Sequence, residues 1–323
     1  MSRLTFVDVC SGAGGLALGL ERAGFEPKLL LDEDADACRT LRANRPNWNV
    51  LEADLLDLDP AEHRECYDVD LLSAGPPRVK SNATVARTDS GTEERLLRAA
   101  VYLAHAIRPR AVLIENVPGF TDPERFRGFH EFARAELEHL GYEFRWFILN
   151  AADFGVPQDR RQGILLALKR EWFPAFLQPS LTASTHIPVG EALGPSMRSH
   201  GWQDADRWAA QARSVAPTLV GGSKNRGGAD LGPSGTKQKW ASMGVNAHSL
   251  GNTIPGPDFH WDPALGREGM VQITVDQAAL LQGFPPEWEI TGKKTARYRQ
   301  IGHASPPPVG EALGAAIAQA LRS

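Results

Sequence analysis

The residues best placed to do chemistry open the chain. An apolar run from Leu4 to Val9 ends in Asp8-Val9-Cys10-Ser11-Gly12-Ala13-Gly14-Gly15, a glycine-rich turn. Glycine there permits tight turning and close approach of backbone to a ligand. Asp32 and Glu33 close the next apolar run about twenty residues later, and Asp54 closes a third. In an open parallel sheet, ligands bind beyond the carboxyl ends of the strands. A glycine turn and acids at three such ends suit an adenosine-containing cofactor, with an acid on the ribose hydroxyls and Asp54 facing an adenine amino group. The strict G-x-G-x-x-G spacing of dinucleotide binders is absent. An ordinary strand-to-helix turn in a nucleotide-free α/β protein has the same look.

These residues need a scaffold, and the first half of the chain predicts one. Strand signals at 4–9, 28–31, 50–51, 69–73 and 111–114 alternate with helix signals at 16–23, 37–44, 93–107 and 126–140. Two more strands are predicted at 143–149 and 163–168. Such alternation predicts right-handed crossovers and a mostly parallel, doubly wound α/β sheet. From about Ser180 to Pro263, glycine, proline and polar residues dominate, which predicts a small loop-rich domain. Helices are predicted again at 275–281 and 308–321.

The 323 residues are 42% hydrophobic with a net charge of -4, enough to bury a sizeable core. A protein that merely coats nucleic acid is usually basic, whereas a DNA-modifying enzyme can confine its cations to one cleft. The only cysteines are Cys10, Cys38 and Cys66. An odd count without metal-type spacing argues against a disulfide framework or a zinc site. No signal peptide and no membrane-length apolar run is evident, so a cytoplasmic protein without membrane or metal partners is expected.

Seven short motifs, in order, resemble those of the DNA cytosine-C5 methyltransferases. They are Asp8 to Gly15; Ala74-Gly75-Pro76-Pro77; Glu115-Asn116-Val117; Gly155 to Arg160, like Q-x-R-x-R; Arg213 to Thr218; Leu281-Gln282-Gly283-Phe284-Pro285; and Gly302 to Val309. The resemblance spans nearly the whole chain. It implies a Rossmann-like domain at 1–180 binding S-adenosyl-L-methionine, a target-recognition domain at 181–270, a segment at 271–323 returning to the first domain, and double-stranded DNA as partner. It also implies cofactor contacts at Asp8, Ser11, Gly12, Gly14, Gly15, Asp32, Glu33, Asp54, Leu55, Gly75, Pro76 and Ser305.

The family adds a thiolate to C6 of a flipped cytosine, which makes C5 nucleophilic. A glutamate holds N3, and an arginine supports the ring oxygen and the acid. Glu115, Asn116 and Arg160 match these motifs, but Arg78 follows Pro76-Pro77 where the cysteine belongs, and Gln162 replaces the second arginine. His303 and Ser305 also depart from the pattern. Cys66 cannot stand in, because the twelve residues to Arg78 span up to about 40 Å and leave it at the wrong end of the sheet. Arginine stays protonated and cannot act as a thiolate. Three readings follow. The chain methylates by a route needing no adduct, such as at N4; it is a silent homologue binding cofactor, DNA or a second protein subunit; or it modifies an altered base, with Arg78 recognising an anionic group.

By the same resemblance the stretch Gly221 to Gly228 lines a DNA cleft. Its Lys224 and Arg226, with Lys237, Lys239 and Lys80, are candidate phosphate or groove contacts. A solvated surface loop explains them too, as it does the run Lys293, Lys294, Arg297 and Arg299.

Overall fold

The computed structural model describes residues 3–79, 90–222 and 229–323. Two compact units emerge, one drawn from Met1–Leu149, Arg161–Ser180 and Val309–Ser323, the other from Asn150–Arg160 and Leu181–Pro308.

In the first unit, strands β1 (Leu4–Val9), β2 (Phe25–Asp32), β3 (Val50–Glu52), β4 (Leu71–Ala74) and β5 (Ala111–Asn116) run parallel. With β6 (Tyr142–Asn150) and β8 (Arg161–Lys169) they form a seven-stranded sheet, ordered β3-β2-β1-β4-β5-β8-β6. The pairing β5–β8 is antiparallel. The α/β doubly wound prediction therefore holds. The order reverses between β1 and β4, so the ends of β1 and β4 form a topological switch point. The expected strands are longer than their apolar centres: β2 begins at Phe25 and β5 continues through Glu115 and Asn116. Central parallel strands are buried on both faces, so apolar runs mark their middles and polar residues their functional ends.

Helices α1 (Gly15–Arg22), α2 (Ala35–Asn44), α3 (Ser90–Ile107), α4 (Arg127–His139) and the C-terminal α10 (Pro307–Leu321) belong with this sheet in sequence order. One core layer joins Val9, Leu31, Leu72, Val112, Ile114 and Leu165 to Leu97, Val101 and Leu137 of α3 and α4. Gly310 and Gly314 of α10 lie against Leu16, Gly19, Leu20 and Ala23 of α1, tightly at Gly310 and so closely at Gly314 that a Cβ would stand 2.7 Å from Ala23 Cβ.

The second unit is more regular than the composition of 180–263 predicts. It contains α5 (Val189–Arg198), α6 (Ala205–Gln211), α7 (Ser234–Ser242), α8 (Val275–Leu281) and α9 (Lys294–His303), with the short strands β7 (Gln158–Asp159) and β9 (Ala216–Pro217) paired in parallel. The early helices were hidden because α5 holds Pro195 and two glycines, and α6 has seven residues. Packing organises them: Trp208 and Trp240 are wholly buried, and Gly190 lets α5 press on the backbone of Ala209. Residues 271–308 group with this second unit. No helix among the described residues is long and apolar enough to cross a membrane.

Candidate functional site

The glycine turn sits at the carboxyl end of β1 and is braced by β2. Ser11 N donates to Leu31 O at 3.0 Å, and Gly12 N donates to Asp32 Oδ2 at 2.7 Å. The other Asp32 oxygen accepts from Asp34 N at 2.8 Å. Both oxygens of Asp32 thus hold backbone, and the exposed Glu33 beside it is the acid that faces solvent. Gly12 adopts φ +53 with nothing within 4 Å of the place a Cβ would occupy, so the turn opens onto free space. Gly14, at φ 81, caps α1, and Gly15 is its first, buried residue. Cys10 itself takes a left-handed φ of 56, a conformation that bulky residues adopt only under constraint.

Asp8 is 1% exposed. Ser73 Oγ donates to its Oδ1 at 2.6 Å, while Oδ2 has no partner among the described residues. Burial pushes its carboxyl up to about 7, against the opposing hydrogen bonds from Ser73 and Ser11. Asp8 and Asp32 thus both hold the structure around the turn, Asp8 through Ser73 and Asp32 through the amides of Gly12 and Asp34. At the end of β3, Asp54 Oδ1 caps the following turn by accepting from Leu56 N at 2.9 Å, and Leu55 is buried. Glu33, Asp54 and the open turn leave two acids and backbone with free space beside it at the ends of β1, β2 and β3.

The loop after β4 leans on this turn: Gly75 N donates to Val9 O at 3.2 Å, and a Cβ on Gly75 would lie 3.5 Å from Cys10 O. Pro76 and Val79 are buried, and Arg78 is half-buried. Asn116, 2% exposed at the end of β5, clamps the loop. Its Nδ2 donates to Pro76 O at 3.1 Å and to Pro77 O at 3.3 Å, and its Oδ1 accepts from Val79 N at 3.1 Å and Val117 N at 2.9 Å. Asn116 thereby fixes the backbone on both sides of residue 78. Glu115 is half-buried on the opposite sheet face, directly across from Ile164 and diagonal to the buried Gln162. Gly163 must be glycine, since a Cβ would stand 2.5 Å from Val117 O.

All three cysteine thiols are pushed up by burial. Burial, with Asp32 next, raises the Cys10 thiol well above its usual value. Burial raises Cys38 to about 11 and Cys66 to about 12. All three stay protonated near neutral pH.

Arg160 lies in the second unit. It is 3% exposed, and its Nη1 donates to Leu219 O and Gly302 O, each at 3.1 Å. This guanidinium ties the second unit together. Sequence reasoning passed over Gln158 as anything more than a motif match. It is fully buried, donates to Leu281 O and Gln282 Oε1, and accepts from Leu219 N. Gly302 meets Gly221 so closely that a Cβ would fall 2.2 Å from Gly221 N. Ser305 is buried in the same unit, and His303 Nε2 lies 3.2 Å from Gly222 O.

Of the candidate DNA contacts, Lys80, Lys224 and Arg226 lie outside the described residues. Lys237 pairs with Asp230 at 2.7 Å, while Lys239 is exposed on α7. In the other basic run, Lys294 donates to Asn252 Oδ1 at 2.8 Å and Arg297 to Ile290 O at 2.8 Å, so these cations partly hold structure.

The family model described as C-5 cytosine-specific DNA methylase matches residues 4–319. The type II methyltransferase M.NaeI of Lentzea aerocolonigenes is 41% identical over 327 residues, covering 99% of this chain and 76% of the relative. The type II methyltransferase M.NgoMIV of Neisseria gonorrhoeae is 38% identical over 332 residues, covering 99% of both. The fold also matches the crystal structure of a prophage-encoded DNA modification methyltransferase of E. coli, with a TM-score of 0.70 at 20% identity, covering 99% of this chain and 100% of that one.

Proposed function

Because this chain belongs to the C-5 cytosine-specific DNA methylase family, whose cofactor is S-adenosyl-L-methionine, we propose that it binds this cofactor and double-stranded DNA, addresses cytosine, and does not perform thiolate-dependent C5 methylation. One observation carries the reading. Residue 78, in the loop that Asn116 holds, is an arginine, and every cysteine of the chain lies elsewhere, its thiol raised by burial.

The cofactor, when bound, supplies an electrophilic methyl group. The open backbone at Gly12, the acids Glu33 and Asp54, and the turn braced by Asp32 support its binding here. The type II relatives support DNA as the substrate class. In this reading the first unit is the cofactor domain, residues 181–270 read the target, Glu115 meets the base, and Lys239 is the described cation offered to DNA.

Cytosine C5 is a weak nucleophile without an adduct at C6, and a guanidinium forms none. Incubation of the purified chain with duplex DNA and methyl-labelled cofactor tests this. Calorimetry should register cofactor binding while no label reaches cytosine C5. Label at C5 would overturn the proposal.

A further inference from the structure

Asp8 is a buried carboxyl two residues before the glycine turn. We propose that it senses charge for the turn: it carries a proton in the unliganded chain and surrenders it when the sulfonium cofactor binds, which sets that cation apart from its neutral thioether product. This rests on the cofactor reading above and adds what selects the charged form.

The hydrogen bonds around Asp8 supply the first part of the case. A serine hydroxyl has one proton to donate. Ser73 Oγ stands 2.6 Å from Asp8 Oδ1 and 3.3 Å from Val7 O, and both are acceptors when Asp8 is ionised. One proton then serves two acceptors. A neutral Asp8 removes the competition: its own proton goes to Ser73 Oγ, and the Ser73 proton goes to Val7 O. Ser11, the other hydroxyl that favours the ionised form, spends its proton on Asp8 O at 3.0 Å. Asp8 Oδ2 is buried with no partner among the described residues. Such burial costs a full charge far more than it costs a neutral acid.

The charges around Asp8 supply the second part. Its neighbours in register are Ser73 of β4 and Leu30 of β2, and Phe6 shares its face of β1. None is charged. Asp32, at the end of β2, opposes ionisation with its own negative charge. The Cys10 thiol beside the turn is itself raised by burial and stays neutral. Among the described residues no cation pairs with Asp8. Burial is the largest influence, and together these hold the proton up to about pH 7.

A cation at the turn supplies the missing positive charge. Ser11 is three residues from Asp8, at most about 10 Å of chain. At that separation, with an effective dielectric constant of about 20, a unit positive charge favours the ionised carboxyl by roughly tenfold. By linkage the carboxylate returns the same preference to the cation. The thioether product has lost its charge with the methyl group and earns no such preference.

Isothermal titration calorimetry of the full-length chain counts the proton. S-adenosyl-L-methionine and S-adenosyl-L-homocysteine are each titrated at about pH 6.5 in buffers of different ionisation heat. The first should release about half a proton more than the second, the difference that a tenfold shift of a group near 7 gives. Its affinity should rise with pH and level off above about 7. Asp8→Asn should abolish the difference in proton release, and a difference that survives it overturns the proposal. Where Asp8→Asn does not fold, carbon-13 NMR of labelled aspartate in the unaltered chain decides. A carboxyl that titrates near 7 and drops only with the sulfonium supports the proposal; one ionised throughout overturns it. Equal proton counts for the two compounds overturn the proposal alone. Binding of neither compound overturns the cofactor reading and the proposal with it, and label at C5 bears on neither count.

Discussion

Asn116→Ala is the sharpest perturbation of the loop that carries residue 78. The side chain is 2% exposed and makes four hydrogen bonds, three of them to the loop at Pro76 O, Pro77 O and Val79 N. Truncation leaves buried backbone groups without partners. Each such group costs about 1–3 kcal/mol, and water entering the gap offsets part of the sum. A net loss of about 3 kcal/mol is the working value. For a unit of this size that corresponds to a fall in melting midpoint of about 6–12 °C. Differential scanning calorimetry reads the midpoint, and hydrogen exchange at the Val79 amide reads the clamp itself. Asn116→Asp, which keeps the acceptors but loses both donors and buries a charge, should fall at least as far. A midpoint within about 2 °C of the parent, with unchanged protection at Val79, would refute the clamp.

Three further outcomes follow from the same geometry. The Asp8 carboxyl titrates near 7 when folded and near 3.8 when unfolded, so between these values the folded chain keeps a proton that the unfolded chain has lost. Its contribution to stability is therefore full below about pH 4 and lost as pH rises to 7, a swing of about 4 kcal/mol by linkage; Asp8→Asn should flatten that slope in melts from pH 5 to 8, and an unchanged slope would contradict it. Glu33→Gln should weaken cofactor binding in calorimetry at unchanged melting midpoint, whereas Asp32→Asn, which disturbs the brace on Gly12 and Asp34, should lower the midpoint as well. Gly163→Ala should melt lower by several degrees, because its Cβ would meet Val117 O at 2.5 Å.

The sheet was legible because buried parallel strands are nearly continuous apolar runs, and Leu4 to Val9 or Ala111 to Ile114 look like little else. The second unit was not: α5 to α7 are held by buried tryptophans and by glycines such as Gly190 pressed on Ala209, contacts distant in sequence that leave no local period. The site was legible in its motifs. Asp8, Asp32, Asn116 and Arg160 belong to recognisable patterns, and what the sequence could not show is the backbone and hydroxyl partners their side chains hold, because these come from distant strands and loops. Arg78 after Pro76-Pro77 was legible from the sequence alone, and the structure adds that Cys38 and Cys66 are buried and that burial raises all three thiols.

The central claim is that this methyltransferase scaffold lacks the thiolate route to C5. Mass spectrometry of nucleosides from the DNA of cells expressing the chain, beside cells expressing Arg78→Cys or carrying an empty vector, tests it most directly. The account predicts no 5-methylcytosine above the empty-vector level from the chain itself, and an increase only once cysteine stands at position 78. 5-Methylcytosine made by the unaltered chain would contradict it.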